Sequence, residues 1–151
     1  MNKSDKLLCQ QAAKSLKLYD ITLFESRFER GDISDAEGMG TVQTKRNVRY
    51  TKTTSTIEGD KALSLEILVS LGIRVVDKGA SLENPKFLFM IEADYMVEYR
   101  IISEIADEAA KAFASFNGVH NVWPFWRQHV FTTIQQGRLP HIEIPLFSGQ
   151  E

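Results

Sequence analysis

The chain is poor in the features that many specialised proteins depend on. Its one cysteine, Cys9, cannot form an internal disulfide, so the fold does not rest on sulfur cross-links and suits a reducing compartment; a bridge between two chains stays open. The three histidines, His120, His129 and His141, are too far apart to form a ligand pair on one helix, and no Cys or His cluster accompanies them. There is no glycine-rich phosphate loop, no nucleophile elbow and no nucleophile signature around Cys9. No window approaches the ~18 continuous apolar residues of a membrane span. Residues 1–6 lead into a polar-interrupted segment rather than the apolar core of a signal peptide. Neither sign of charge dominates: 18 basic residues face 20 acidic ones, which argues against nucleic acid as the main partner. The small basic cluster of Lys45, Arg46, Arg49 and Lys52 lacks interleaved stacking aromatics and reads as a solvated strand face. Glu92 and Asp94, two apart on one strand, read as a solvated acidic face rather than a catalytic pair. The expectations are a cytoplasmic protein with no cofactor, no metal and no catalytic residues, one that neither binds nucleic acid nor inserts into a membrane.

What is present is a globular pattern whose 151 residues fit one domain, 1–151, with residues 1–17 as an N-terminal amphipathic helix and 18–147 as the core. Ser4 is a plausible cap for a first helix over residues 5–16, with Leu8, Ala12 and Leu16 on one face. From Leu18 the period changes to two. Tyr19, Ile21 and Leu23 fall on one side, Asp20, Thr22 and Phe24 on the other, in a strand running towards Phe28 that is partly apolar on both faces. Residues 31–40, rich in glycine and acidic side chains and carrying Met39, read as a long mobile connection. A Thr-rich second strand follows from about Asn47 to Ile57, with Val42 just ahead of it and Val48 and Tyr50 within it.

The next two strands are the clearest. Every odd position from Leu63 to Val75 is apolar, and Phe87, Phe89, Ile91, Ala93, Tyr95, Val97 and Tyr99 repeat the pattern after a turn at residues 78–85. Being neighbours in sequence, they are expected to pair as a hairpin. A helix capped by Ser103 then carries Ile105, Ala109 and Phe113 inward and ends at Asn117-Gly118. A last helix begins at Pro124, presents Trp126, Val130 and Ile134 as an apolar stripe, and closes through a left-handed Gly137. Ile142, Ile144 and Leu146 read as a short extended edge segment interrupted by Pro145. Strands followed by helices imply an α+β domain, an antiparallel sheet with helices on one face.

The stretch Asn121-Val122-Trp123-Pro124-Phe125-Trp126-Arg127, followed by Gly137-Arg138-Leu139-Pro140-His141-Ile142, resembles the helix and proline-rich exit of the SecB family of export chaperones. That family has Asn-aliphatic-aromatic-Pro-Tyr-x-Arg and then Gly-x-Phe/Leu-Pro-x-aliphatic. Tyr19-Asp20-Ile21-Thr22-Leu23-Phe24-Glu25 resembles its Lys-Asp-Ile-Ser-Phe-Glu strand with one residue inserted before the glutamate. Phe89-Met90-Ile91-Glu92 resembles its Phe-Leu-Cys-Glu strand.

The resemblance implies a four-stranded antiparallel sheet under a long helix, protomers paired into a dimer of dimers, and hydrophobic grooves that hold non-native polypeptide without ATP. The matching positions for contact with the export ATPase SecA are Asp20 and Glu92, with Glu25 shifted. The surplus of large apolar side chains supports an adaptable groove, assigned to Phe24, Phe28, Met39, Val42, Val48, Tyr50, Trp123, Trp126, Phe131, Ile134 and Phe147, with the connection at 31–40 moving over the client. Two departures bear on the role. The family's last helix and tail have no counterpart after Phe147, and an extra helix precedes the first strand. Both resemble the SecB-like chaperones encoded with toxin–antitoxin pairs, which bind the C-terminal segment of an antitoxin. The expectation is a holdase dedicated to an antitoxin or another specific client, with general protein export to SecA as the alternative and a structural oligomer or small-ligand protein more remote.

Overall fold

The computed structural model describes residues 1–31, 40–77 and 87–147. Among them run α1 (Lys3–Ser15), β1 (Leu16–Arg30), β2 (Thr41–Ile57), β3 (Asp60–Val76), β4 (Phe87–Ile101), α2 (Asp107–Phe113), a π-helical turn (Ala114–Gly118) and α3 (Val119–Gly137). The body of the connection at 31–40, with Met39, and the expected turn at 78–85 lie outside the described residues.

Among the described residues four strands form one antiparallel sheet in the order β1-β4-β3-β2. The centre follows from alternation. Leu65, Ile67, Val69, Leu71, Ile73 and Val75 on β3 and Phe89, Ile91, Ala93, Tyr95, Val97 and Tyr99 on β4 all enter the core, and the two strands pair as the expected hairpin, with Ile67 opposite Val97. The same cluster holds Ala109, Ala110 and Phe113 of α2 and Val122, Trp126, Val130 and Ile134 of α3, so the helices sit on one face of the sheet. The exposed Leu63 is where the odd-numbered pattern runs past the covered part of β3.

Several local expectations are corrected by tertiary contacts. Asn2 rather than Ser4 caps α1: its Oδ1 accepts the Asp5 N–H at 2.7 Å, and the Asp5 carboxylate accepts the Asn2 N–H in return, a complete capping box. β1 begins at Leu16 and carries two register shifts, at Leu18/Asp20 and Leu23/Glu25. The extra residues, Tyr19 and Phe24, are taken up as bulges that reset the alternation. Leu18, Ile21, Leu23 and Phe28 therefore share the helix side by pairing with Tyr99, Val97, Tyr95 and Ile91. Tyr19 leaves that row, its ring 3.9 Å from the Arg100 guanidinium carbon. β2 is longer than its composition suggests, starting at Thr41, because its whole length pairs with β3.

The helical layer differs most. Ser103 does not cap α2; its hydroxyl donates to Ser15 Oγ at 2.8 Å, and α2 starts at Asp107 behind Ala106. Asn117-Gly118 does not end the helix. Gly118 keeps a right-handed conformation and lies so close to Ile67 that a Cβ there would sit 3.1 Å from its Cγ2. The chain stays helical through a π turn, so packing overrides the break that Asn-Gly predicts. Pro124 consequently lies inside α3, where it leaves the His120 carbonyl without its usual helical donor. At the other end Arg138, not Gly137, takes the left-handed conformation (φ 50°). The Leu139 N–H donates to the Ile134 carbonyl at 3.0 Å and Arg138 N–H to Gln135, which is a Schellman closure. Gly137 is instead closely packed: a Cβ would lie 3.0 Å from Leu139 Cγ and 3.4 Å from the Phe28 ring.

α1 packs on α2, and Lys52 of β2 reaches the start of α2, donating to Asp107 Oδ1 at 2.7 Å and to the Ile105 carbonyl at 3.0 Å. That contact holds the exposed Asp107 carboxyl below its ordinary range. Among the described residues no helix is long and apolar enough to cross a membrane.

Candidate functional site

α3 crosses the sheet from the β2/β3 side, where the π turn packs, to the end of β1, where Arg30 donates twice to the Gly137 carbonyl at 2.8 Å. Asn121 anchors its first part by donating to the Tyr99 hydroxyl at 2.6 Å. Burial pushes that phenol up to about 12, so it stays protonated. Trp126, Val130 and Ile134 face the sheet. A second stripe, His120, Trp123, Arg127 and Phe131, points along the flank.

The segment after Gly137 returns along that second stripe. His141 stacks on Phe131 (centroids 6.0 Å apart), the Ile144 carbonyl accepts from Arg127 Nε at 3.1 Å, and the Pro145 carbonyl accepts from Trp123 Nε1 at 2.7 Å. Phe147 closes against Trp123 at 5.3 Å, with the Arg46 guanidinium 5.4 Å from its ring centre. The expected edge strand is thus an irregular segment held by side chains of α3. Proline at 145 removes a ladder donor, and Leu146, expected to share a face with Ile144, is 76% exposed.

Between this segment, α3 and β2 lies a groove of ≈ 530 Å³, lined mainly by Val42, Leu71, Ile73, Trp123, Trp126 and Phe147, with Arg46 and Glu143 among its charged residues. Its volume is in the range of ligand-binding clefts, and its walls mix apolar and aromatic side chains with the polar Thr44, Lys45, Arg46 and Glu143. β2 is an edge strand, with β3 on one side and no strand on the other among the described residues. His129, 6.3 Å from Trp126, has its pKa lowered by burial and carries no charge near neutral pH.

The assigned groove residues separate into groups. Val42, Trp123, Trp126 and Phe147 come together here, with Trp126 only 2% exposed at the groove floor. Phe131 touches the returning segment through His141, and Ile134 is buried beneath α3. Val48 and Tyr50 share the groove side of β2 but lie farther along it, opposite Val69 and Ile67. Phe24 (62% exposed) and Phe28 (44%) are on β1, at the opposite edge of the sheet. Met39 lies outside the described residues.

Asp20, Glu25 and Glu92 all face away from the helices. Asp20 pairs with Glu98, Glu25 with Asp94, and Glu92 forms an ion pair with Lys45, whose stem crosses Gly72 so closely that a Cβ would lie 2.7 Å from Lys45 Cε. Sequence reasoning assigned Trp123 to the groove without its role as a carbonyl donor, and missed the second donor, Arg127, whose i, i+4 spacing from Trp123 was the available signal. It also missed Thr44 and Arg46, which share a face with Val42 by period two. Among the described residues no group of three or more His, Cys, Asp or Glu side chains is placed to hold a metal.

No protein-family model matches the chain, and a search of curated proteins finds no match. A solved structure does match. The Mycobacterium tuberculosis Rv1957 SecB-like chaperone, in complex with a ChAD peptide from the Rv1956 HigA1 antitoxin, superposes with a TM-score of 0.65 over 94% of this chain and 97% of that one, at 12% identity. The fold is SecB-like. Phe24, just before Glu25, is the extra residue at the second register shift of β1.

Proposed function

We propose that the protein is an ATP-independent chaperone, a holdase that keeps an aggregation-prone polypeptide in extended form in the groove between β2 and α3, and that its client is an antitoxin segment or another dedicated partner. The observation that carries this reading is the groove itself: a Trp-lined cleft beside an edge strand, able to pack side chains of an extended chain. The similarity to a SecB-like chaperone solved with an antitoxin peptide supports a peptide client. In this reading residues 1–151 act as one domain, the protein works in the cytoplasm, and it assembles as a homotetramer. Val48 and Tyr50 extend the groove along β2, Met39 is a further client contact, and Phe24 and Phe28 belong to a second apolar surface. The test is suppression of aggregation of a chemically unfolded protein without nucleotide. Wild type should suppress it, and Val42→Asp should suppress it less; equal aggregation with and without wild type sinks the reading.

A second reading, delivery of exported proteins to SecA, draws on the acidic side chains Asp20, Glu25, Glu92, Asp94 and Glu98 on the sheet face away from the helices. Calorimetric titration with SecA separates the two: an Asp20→Asn/Glu25→Gln double variant should weaken binding if the export role holds, and no heat with wild type removes it.

A further inference from the structure

We propose that the outer edge of β2 selects its client by charge: it takes an extended polypeptide whose side chains alternate between apolar and acidic, and rejects basic chains and the β2 edge of a second copy. This deepens the client-binding reading above and rests on it.

β2 is the most one-signed strand of the sheet. Thr41–Ile57 includes Lys45, Arg46, Arg49 and Lys52 and no carboxylate, in a chain whose net charge is −2. β1, the other edge, is balanced, with Lys17, Arg27 and Arg30 against Asp20, Glu25 and Glu29. In the sequence the basic cluster reads as a solvated face; the sheet order places it on an edge. Among the described residues the backbone of β2 forms its ladder with β3 alone. That ladder is in unbroken register and β2 contains no proline, so its outer row of N–H and C=O groups is a continuous template for another strand.

Period two divides the cations between the faces. Arg46 and Lys52 lie on the helix side with Val42 and Val48, Lys45 and Arg49 on the open side. Lys52 is turned inward to Asp107 and the Ile105 carbonyl, and Arg46 stands over the Phe147 ring at the groove. On the open side the Lys45 side chain stays 62% exposed while it pairs with Glu92. Arg49 is exposed and, among the described residues, has no ion-pair partner.

An antiparallel copy of β2, in any register centred on residues 45–52, sets a cation opposite or diagonal to a cation, about 5–8 Å away, and is disfavoured. An incoming strand with carboxylates opposite Lys45 and Arg49 meets the reverse field. Its alternate side chains, the apolar ones, then face Val42, Val48 and the groove. A nucleic acid fits this edge less well, because between Lys45 and Arg49 the open side presents Asn47 and no ring on which a base could stack.

The test uses fluorescein-labelled peptides in which valine alternates with glutamate, glutamine or lysine, titrated with the full-length protein and followed by anisotropy at low and high salt. Wild type should bind the glutamate peptide about tenfold more tightly than the glutamine peptide, and the lysine peptide more weakly still. High salt should shrink that preference. Arg49→Glu should abolish it, whereas Arg27→Glu, the same charge change on β1, should leave the affinity for the glutamate peptide within about twofold. Equal affinity for the glutamate and lysine peptides, no binding of any peptide, equal loss in both variants, or tighter binding of a labelled oligothymidylate overturns the proposal. Should Arg49→Glu lose its circular dichroism signal, Arg49→Gln carries the same test, with a preference about threefold smaller expected and an unchanged one overturning it. Failure of the chaperone reading has a different signature: the glutamate peptide binds selectively, yet wild type does not suppress aggregation of an unfolded protein.

Discussion

The two edges of the sheet are equally available to a neighbour and chemically unlike. β1 displays Leu18, Tyr19, Leu23, Phe24 and Phe28, each 44–62% exposed, on a strand bent by two bulges. β2 pairs in unbroken register and exposes less apolar surface, Val42 at 41% and Tyr50 at 38%, yet it is β2 that borders the groove. Exposure alone would have selected β1. Concavity selects β2, because α3 and the returning segment stand beside it and supply the walls. A surface such as β1, apolar and bulged, suits a second folded subunit better than a flexible chain.

Substitutions can sharpen that comparison, the largest effect first. Trp126→Ala removes the groove floor together with the centre of the core and should cost about 3–5 kcal/mol in urea denaturation. Asn121→Ala strips the Tyr99 hydroxyl of its partner beneath α3 and should cost about 1–3 kcal/mol in the same experiment. Val42→Asp should weaken binding of a labelled unfolded polypeptide about tenfold, while Phe24→Asp on β1 leaves it within about twofold and shifts the chain to smaller assemblies in light scattering. The reverse pattern would break the comparison between the edges. The smallest effect concerns pH. The folded state resists protonation of His129, lowered by burial below its ordinary 6.5, whereas the unfolded chain accepts the proton at that value. Stability should therefore be unaffected by this group above about pH 7 and fall as the solution is acidified towards about pH 5. His129→Gln should flatten that fall in thermal melts at a series of pH values.

The parts of this fold that could be read in the sequence are those where one face of one element meets one core. The odd-numbered rows of β3 and β4 and the Trp126, Val130, Ile134 stripe were of this kind, since a period of two or of 3.6 reports burial directly. The bulges at Tyr19 and Phe24 were not legible as such, because a bulge is a property of the pairing with β4 rather than of β1. Neither was the π turn. Asn117-Gly118 carries the chemistry of a helix end, and the close approach of Ile67 gives that glycine a packing role instead. The helix-start reading of Pro124 failed for the same reason. At the site, Trp123 and Phe147 were legible as large aromatics seeking a surface. That they meet each other depends on the chain reversing at Arg138 and lying back along α3, a long-range event to which local pattern is blind.

The most direct test of the groove is hydrogen exchange of the protein with and without a saturating, permanently unfolded polypeptide. Protection along β2 from Thr41 to Val48, accompanied by a change in Trp123 and Trp126 emission, is the predicted result. Protection confined to β1 or to the acidic face of the sheet, with tryptophan emission unchanged, would contradict it.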